Sequence, residues 1–188
     1  MRTFLLASVC ALLATSIAAP RAHSSVIVLG DGLEMDCYKA AEFGTGHDTK
    51  LCDTALEEPM INHDRAATYV NRSVLRLRGG NAQGALDDCD DSIRIDSALG
   101  EAFVNRGAAL MTLGRNQEAI ESLSHGIALG VRKMNIAYYD RAMAREDAGD
   151  IKGAYEDYKA SLAADPTFTL AAEQLKRFRV IHEPASSS

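Results

Sequence analysis

The chain has 188 residues, 20 of them Lys or Arg against 26 Asp or Glu, for a formal net charge of −6. An acidic chain with no basic stripe argues against nucleic acid or an anionic membrane surface as partner, because phosphate neutralisation needs clustered Lys and Arg. It also carries no nucleophile elbow, phosphate-cradling loop or dinucleotide fingerprint, so neither catalysis nor a bound cofactor is expected.

Residues 1–22 read as a secretory signal peptide. Arg2 precedes the apolar run TFLLASVCALLATSIAA, and small residues stand at cuts after Ala18, Ala19 or Ala22. Cleavage would make the protein periplasmic or secreted. It would also remove Arg2 and Arg21, leaving 18 basic against 26 acidic residues and a net charge of −8. A retained anchor would need about 20 apolar residues with flanking stop signals. A lipidated Cys10 would want a small residue where Val9 stands. Residues 23–34 read as an extended lead-in.

Residues 35–65 carry two helices around the turn GTGH, a hairpin of degenerate sequence. Cys37 and Cys52 lie on either side of that turn, with their midpoint at Gly44, so an antiparallel hairpin would bring them face to face. An exported chain would meet the oxidising compartment a disulfide needs. Closing a loop of about 15 residues is worth roughly 3 kcal/mol in the chain-entropy account. The competing reading gathers Cys37, His47, Cys52 and His63 around zinc. Their intervals of nine, four and ten residues match no usual paired-ligand pattern, so no metal is expected.

From Ala66 onward the chain repeats at spacings of 34 and then 35 residues. Tyr69, Phe103 and Tyr138 recur at that interval, as do Arg72, Arg106 and Arg141, Gly80, Gly114 and Gly149, and Ala85, Ala119 and Ala154. The units run 66–99, 100–134 and 135–168, each a helix ending near the shared glycine and a second helix after it. Glycine there suits a left-handed cap, which a Cβ resists. Small residues Ser73, Gly107 and Ala142 meet Ala85, Ala119 and Ala154, letting two backbones approach, while Cys89, Leu123 and Tyr158 fill space between helices. Cys89 is therefore expected as a buried, inert thiol. The acidic run Asp87, Asp88, Asp90 and Asp91 lacks the glycine and glutamate spacing of a calcium loop. An extra residue near Met134 predicts a looser joint before the third unit. Residues 169–182 read as a solvating end helix with Leu170, Leu175 and Phe178 on one side, and 183–188 as a disordered tail.

Six spaced positions agreeing in three copies resemble the tetratricopeptide repeat. Two departures are that the closing proline is present only as Pro166, with Ser97 and Val131 at its equivalents, and that an extra residue near Met134 precedes the third unit. The resemblance implies an all-α, right-handed superhelix of stacked antiparallel helix pairs. It implies a non-catalytic scaffold or adaptor that binds a partner peptide or helix in its concave groove. Carried across position by position, the groove would be lined by Val70, Asn71, Val74 and Leu77, by Val104, Asn105 and Met111, and by Tyr139, Asp140 and Met143. Asn71 above Asn105 would form a short asparagine ladder able to bond a peptide backbone, broken by Asp140. The clamp for C-terminal carboxylates is missing, because Val70 and Val74 stand where it needs lysine and asparagine. An apolar groove flanked by Glu146 and Asp147 suits a hydrophobic or basic-tipped segment. Arg72, Arg106 and Arg141 are expected to be structural, paired with acids such as Asp88 and Asp157. The alternative is an oligomerising module that uses the array's end or convex face.

Overall fold

The computed structural model describes residues 32–178, which belong to one compact unit. The signal peptide, most of the lead-in, residues 179–182 of the end helix and the tail lie outside the described residues. Among the described residues nine helices follow one another: α1 (Leu33–Phe43), α2 (Lys50–Glu57), α3 (Asn62–Arg78), α4 (Ala82–Ile95), α5 (Gly100–Thr112), α6 (Asn116–Leu129), α7 (Met134–Asp147), α8 (Ile151–Ala164) and α9 (Thr169–Leu175). Consecutive helices pack as antiparallel pairs, and each pair leans on the next, giving an all-α solenoid of stacked hairpins.

The turn inside each unit is built as the glycine spacing predicts. Gly80, Gly114 and Gly149 have φ of +77°, +72° and +85°. In each case the following N–H reaches back to a carbonyl one turn and a half earlier: Asn81 to Arg76 O, Arg115 to Leu110 O, and Asp150 to Arg145 O, all at 2.8 Å. This double-bonded end satisfies carbonyls that the helix leaves open. The next helix starts on a side-chain cap in units one and three, where Asn81 and Asp150 accept from Gly84 N and Gly153 N. Unit two has Arg115 at that position and no such cap.

Close packing inside the units follows from small residues. A Cβ on Gly107 would sit 2.5 Å from Leu123 Cγ, and one on Gly126 would sit 2.9 Å from Val104 Cγ2. The core runs through Ala85, Leu86, Val104, Ala109, Leu110, Ala119, Leu123, Ala137 and Ala144. A second cluster joins Cys37, Ala41 and Cys52 to Leu75, and a third surrounds Tyr158. The end helix differs from its expected face: Leu175 and Phe178 pack on the Tyr158 cluster, but Leu170 is 54% exposed and Ala171 takes the inward position. In so short a helix, Ala171 can lie close against α8 where a leucine would hold the two apart.

The arginine positions are structural, and a second arginine in two of the units supports them. Arg72 grips Asp88 through Nε and Nη2 (2.7 Å at the shortest) and reaches Asp53 of α2 at 2.7 Å. Arg141 grips Asp157 at 2.7 and 2.8 Å and bonds Ser124 of the preceding unit at 3.0 Å. Arg76 and Arg145 complete these clusters, each 2.9 Å from the same carboxylate. Unit two has no such centre. Ser122 stands where the carboxylate would be and buried Leu110 where the second arginine would be, so Arg106 turns to Asp90 of α4 at 2.7 Å.

Candidate functional site

The first helices of the units present their middle turns to one cleft of about 230 Å³. Val70, Asn71 and Val74 of α3 and Val104 and Asn105 of α5 form its floor, and Ile136 of α7 extends it. The cleft is walled on one side by the end of α1, with Ala41 and Glu42, and on the other by Val131, Arg132 and Lys133 before α7. Arg78 fixes the α1 wall by donating to the carbonyls of Ala40, Ala41 and Gly44, at 2.5–3.2 Å. Lys133 Nζ closes the opposite side on Glu42, 2.7 Å away. The Lys133 bond, opposed by slight desolvation, holds the Glu42 carboxyl below its ordinary value.

Half of the groove residues expected from sequence meet here, and the others take different places. Leu77 and Met111 turn into the central core instead of lining the cleft. Tyr139 belongs to the C-terminal aromatic cluster, its ring 5.6 Å from that of Tyr158 and 5.4 Å from that of Phe168. Met143 is exposed but outside the cleft. Asp140 is partly buried with no hydrogen bond or ion pair among the described residues, and burial pushes its carboxyl up to about 7. The walls contributed by α1 and by residues 131–133 were not legible in the repeat pattern, because neither belongs to the first helix of a regular unit.

The two asparagines differ in what they do. Asn105 Nδ2 donates across to Val70 O and Ser73 Oγ at 3.5 and 3.4 Å, weakly tying α5 to α3. Asn71 lines the cleft with no hydrogen bond among the described residues. A peptide amide placed on the floor would therefore find Asn71 open both as donor and as acceptor.

One turn before Ala41, Cys37 of α1 meets Cys52 of α2; both are fully buried with Cα atoms 4.7 Å apart, inside the range a disulfide spans. The two histidines of the zinc reading lie apart from them: His63 Nδ1 is 3.1 Å from Asp96, and His47 sits beside Gly79. Cys89 is fully buried, and desolvation raises its thiol to about 12. Among the described residues, no helix is long and apolar enough to cross a membrane.

With this geometry, comparison with known proteins gives a consistent class. Residues 100–129 match the family model for the tetratricopeptide repeat. Tetratricopeptide repeat protein 36 of Xenopus tropicalis is 30% identical over 116 residues, covering 58% of this chain and 55% of that protein. The small glutamine-rich tetratricopeptide repeat-containing protein 2 of Mycosarcoma maydis is 31% identical over 67 residues, 36% of this chain and 19% of its own length. The chain thus spans about half the length, or less, of these curated relatives. Among solved structures, the thermophilic TPR protein TTC0263 of Thermus thermophilus superposes with a TM-score of 0.63 at 16% identity, covering 77% of this chain and 78% of that one. The first TPR of Spaghetti (RPAP3), bound to the HSP90 peptide SRMEEVD, superposes at 0.59 and 21% identity, covering 62% and 94%. Residues 100–129 thus carry a tetratricopeptide repeat by sequence, and the stack as a whole has the fold of tetratricopeptide-repeat solenoids.

Proposed function

We propose that the protein is a non-catalytic interaction scaffold, exported to a periplasmic or extracellular space, that holds a partner segment in the cleft between α3, α5 and α7. The observation that carries this reading is the cleft floor: Val70, Val74 and Val104 beside an Asn71 amide with no bond of its own among the described residues. Valines offer apolar burial without charge selection, and the amide supplies backbone recognition. The RPAP3 comparison supports use of this fold for peptide capture, but its peptide SRMEEVD is acidic. The present floor has valines and no lysine among those three positions, so its partner is an apolar segment. The Cys37–Cys52 bond forms in that compartment and staples the hairpin that walls the cleft.

The test is a photo-reactive residue at Asn71 in the native host, compared with one at the exposed Asp87 of α4. A discrete adduct from position 71 that is absent from position 87, and lost when Val74→Glu charges the floor, supports the scaffold. Adducts only to a second copy of the chain, from either position, would replace it with the oligomerising role.

A further inference from the structure

The joint before α7 differs from the equivalent joints. Asp96 opens the α4–α5 connection and Asp165 the α8–α9 connection, each carboxylate accepting a backbone N–H two residues on, at 3.0 and 2.9 Å. The α6–α7 connection opens instead on Gly130, at φ +80°, and carries Val131, Arg132 and Lys133 to the cleft wall. It includes the added residue that lengthens the repeat spacing from 34 to 35. Gly100 lets it lie close against α5: a Cβ there would fall 2.8 Å from Val131 Cγ1 and 2.9 Å from Gly130 O. From this seat Lys133 reaches Glu42, 91 positions away in sequence, and Arg132 pairs with Glu101 at 3.7 Å.

We propose that residues 130–133 form a strap across the concave groove, latched by Lys133 to Glu42 of α1, and that a partner segment enters only when the strap lifts. The latch is weak by construction. The Lys133 and Arg132 side chains are 55% and 65% exposed, and exposed ion pairs shift an equilibrium only a few-fold and are screened by salt. Its release uncovers only a small part of the core, Val104 included, since the strap supplies only Val131 to the apolar cluster beneath it. Gly130 provides the backbone freedom for the movement. Glu42 faces Lys133 and Arg132 from the strap and Arg78 from α3, so its charge persists through neutral pH and salt, not acidity, is the lever there. Partner entry rests on the groove reading above, whereas strap opening does not.

Strap opening is read without any ligand by placing a thiol on the cleft floor. In the full chain with Cys10→Ser, Val104→Cys becomes the reporter, because Cys89 is buried and its thiol raised to about 12. N-ethylmaleimide labelling followed by mass spectrometry gives the rate, with Asn71→Cys as a second reporter if Val104→Cys does not fold. Lys133→Glu, which sets like charges against each other at the latch, should speed labelling roughly five-fold, and about 1 M NaCl should speed the parent in the same direction. The charge swap Glu42→Lys with Lys133→Glu should restore the slow rate. Equal rates in parent, single variant and swap would overturn the strap while leaving the groove untouched. A Lys133→Glu protein that labels fast yet yields no partner adduct at position 71 would instead remove the groove reading and leave the strap standing.

Discussion

At the scale of single residues, Gly107 and Asp140 show opposite relations between a side chain and its space. Gly107 has none to spare, since any Cβ meets Leu123 Cγ at 2.5 Å. Gly107→Ala should therefore destabilise the chain by about 1–3 kcal/mol in urea unfolding, despite alanine's better helix propensity. Asp140 is the reverse case, a partly buried carboxylate with no hydrogen bond or ion pair among the described residues. Its folded pKa of about 7 lies above the unfolded value near 3.9, so the folded state binds the proton more tightly. Stability is then lost as pH rises from about 4 to 7 and stays lower above it. Asp140→Asn matches the amide at Asn71 and Asn105 and should raise stability at pH 8 by on the order of 1–2 kcal/mol, with little effect at pH 4. An equal effect at both values would show that the carboxylate is solvated in the fold.

At the scale of helices and hairpins, much was legible beforehand. The recurring glycines marked the turns, the alanines the close helix crossings, and the arginines the paired carboxylates Asp88 and Asp157. Leu77, Met111 and Tyr139 stand outside the cleft for a physical reason: the groove register assumes that every turn of a first helix is free on its concave side. Here Leu77 and Met111 pack against the central core, and Phe168 and α9 pack around Tyr139. The α1 wall was invisible because its contacts are to carbonyls, through Arg78, and to a residue 91 positions away. Arg76 and Arg145 could have been noticed at their 69-residue separation, but Leu110 interrupts the series in unit two. That interruption has a consequence. Asp157→Asn leaves two guanidinium groups facing an amide and should cost about 3–5 kcal/mol, whereas Ser122→Ala in unit two should cost about 1 kcal/mol. Chemical unfolding of both variants checks the contrast.

For the molecule as a whole, stability in a stack is nearly a sum of unit and neighbour contributions, so an end unit with one neighbour is the weak point. The hairpin of α1 and α2 is such an end among the described residues, and its own buried cluster is small: Cys37, Ala41, Cys52 and Leu75. Reduction of Cys37–Cys52, or Cys37→Ser with Cys52→Ser, should remove roughly 3 kcal/mol for a loop of about 15 residues. Amide hydrogen exchange should show the loss in α1 and α2 first, while α5 and α6 keep their protection. Uniform loss across all helices would mean that the array unfolds as one cooperative body. Because Ala41 and Glu42 wall the cleft, the same treatment should also blunt partner capture at position 71.

The left-handed glycines of the three unit turns offer a practical opening. A Cβ built at Gly80, Gly114 or Gly149 would meet nothing within 4 Å, and the flanking residues there are exposed. The Gly114 and Gly149 bends are bordered by solvent and are separate from the residues that line the cleft, whereas Gly80 lies two residues after Arg78 of the cleft wall. A fluorophore or short epitope inserted beside Gly114 would report on the protein in its own compartment while leaving recognition undisturbed, and an inserted domain could be carried there as cargo.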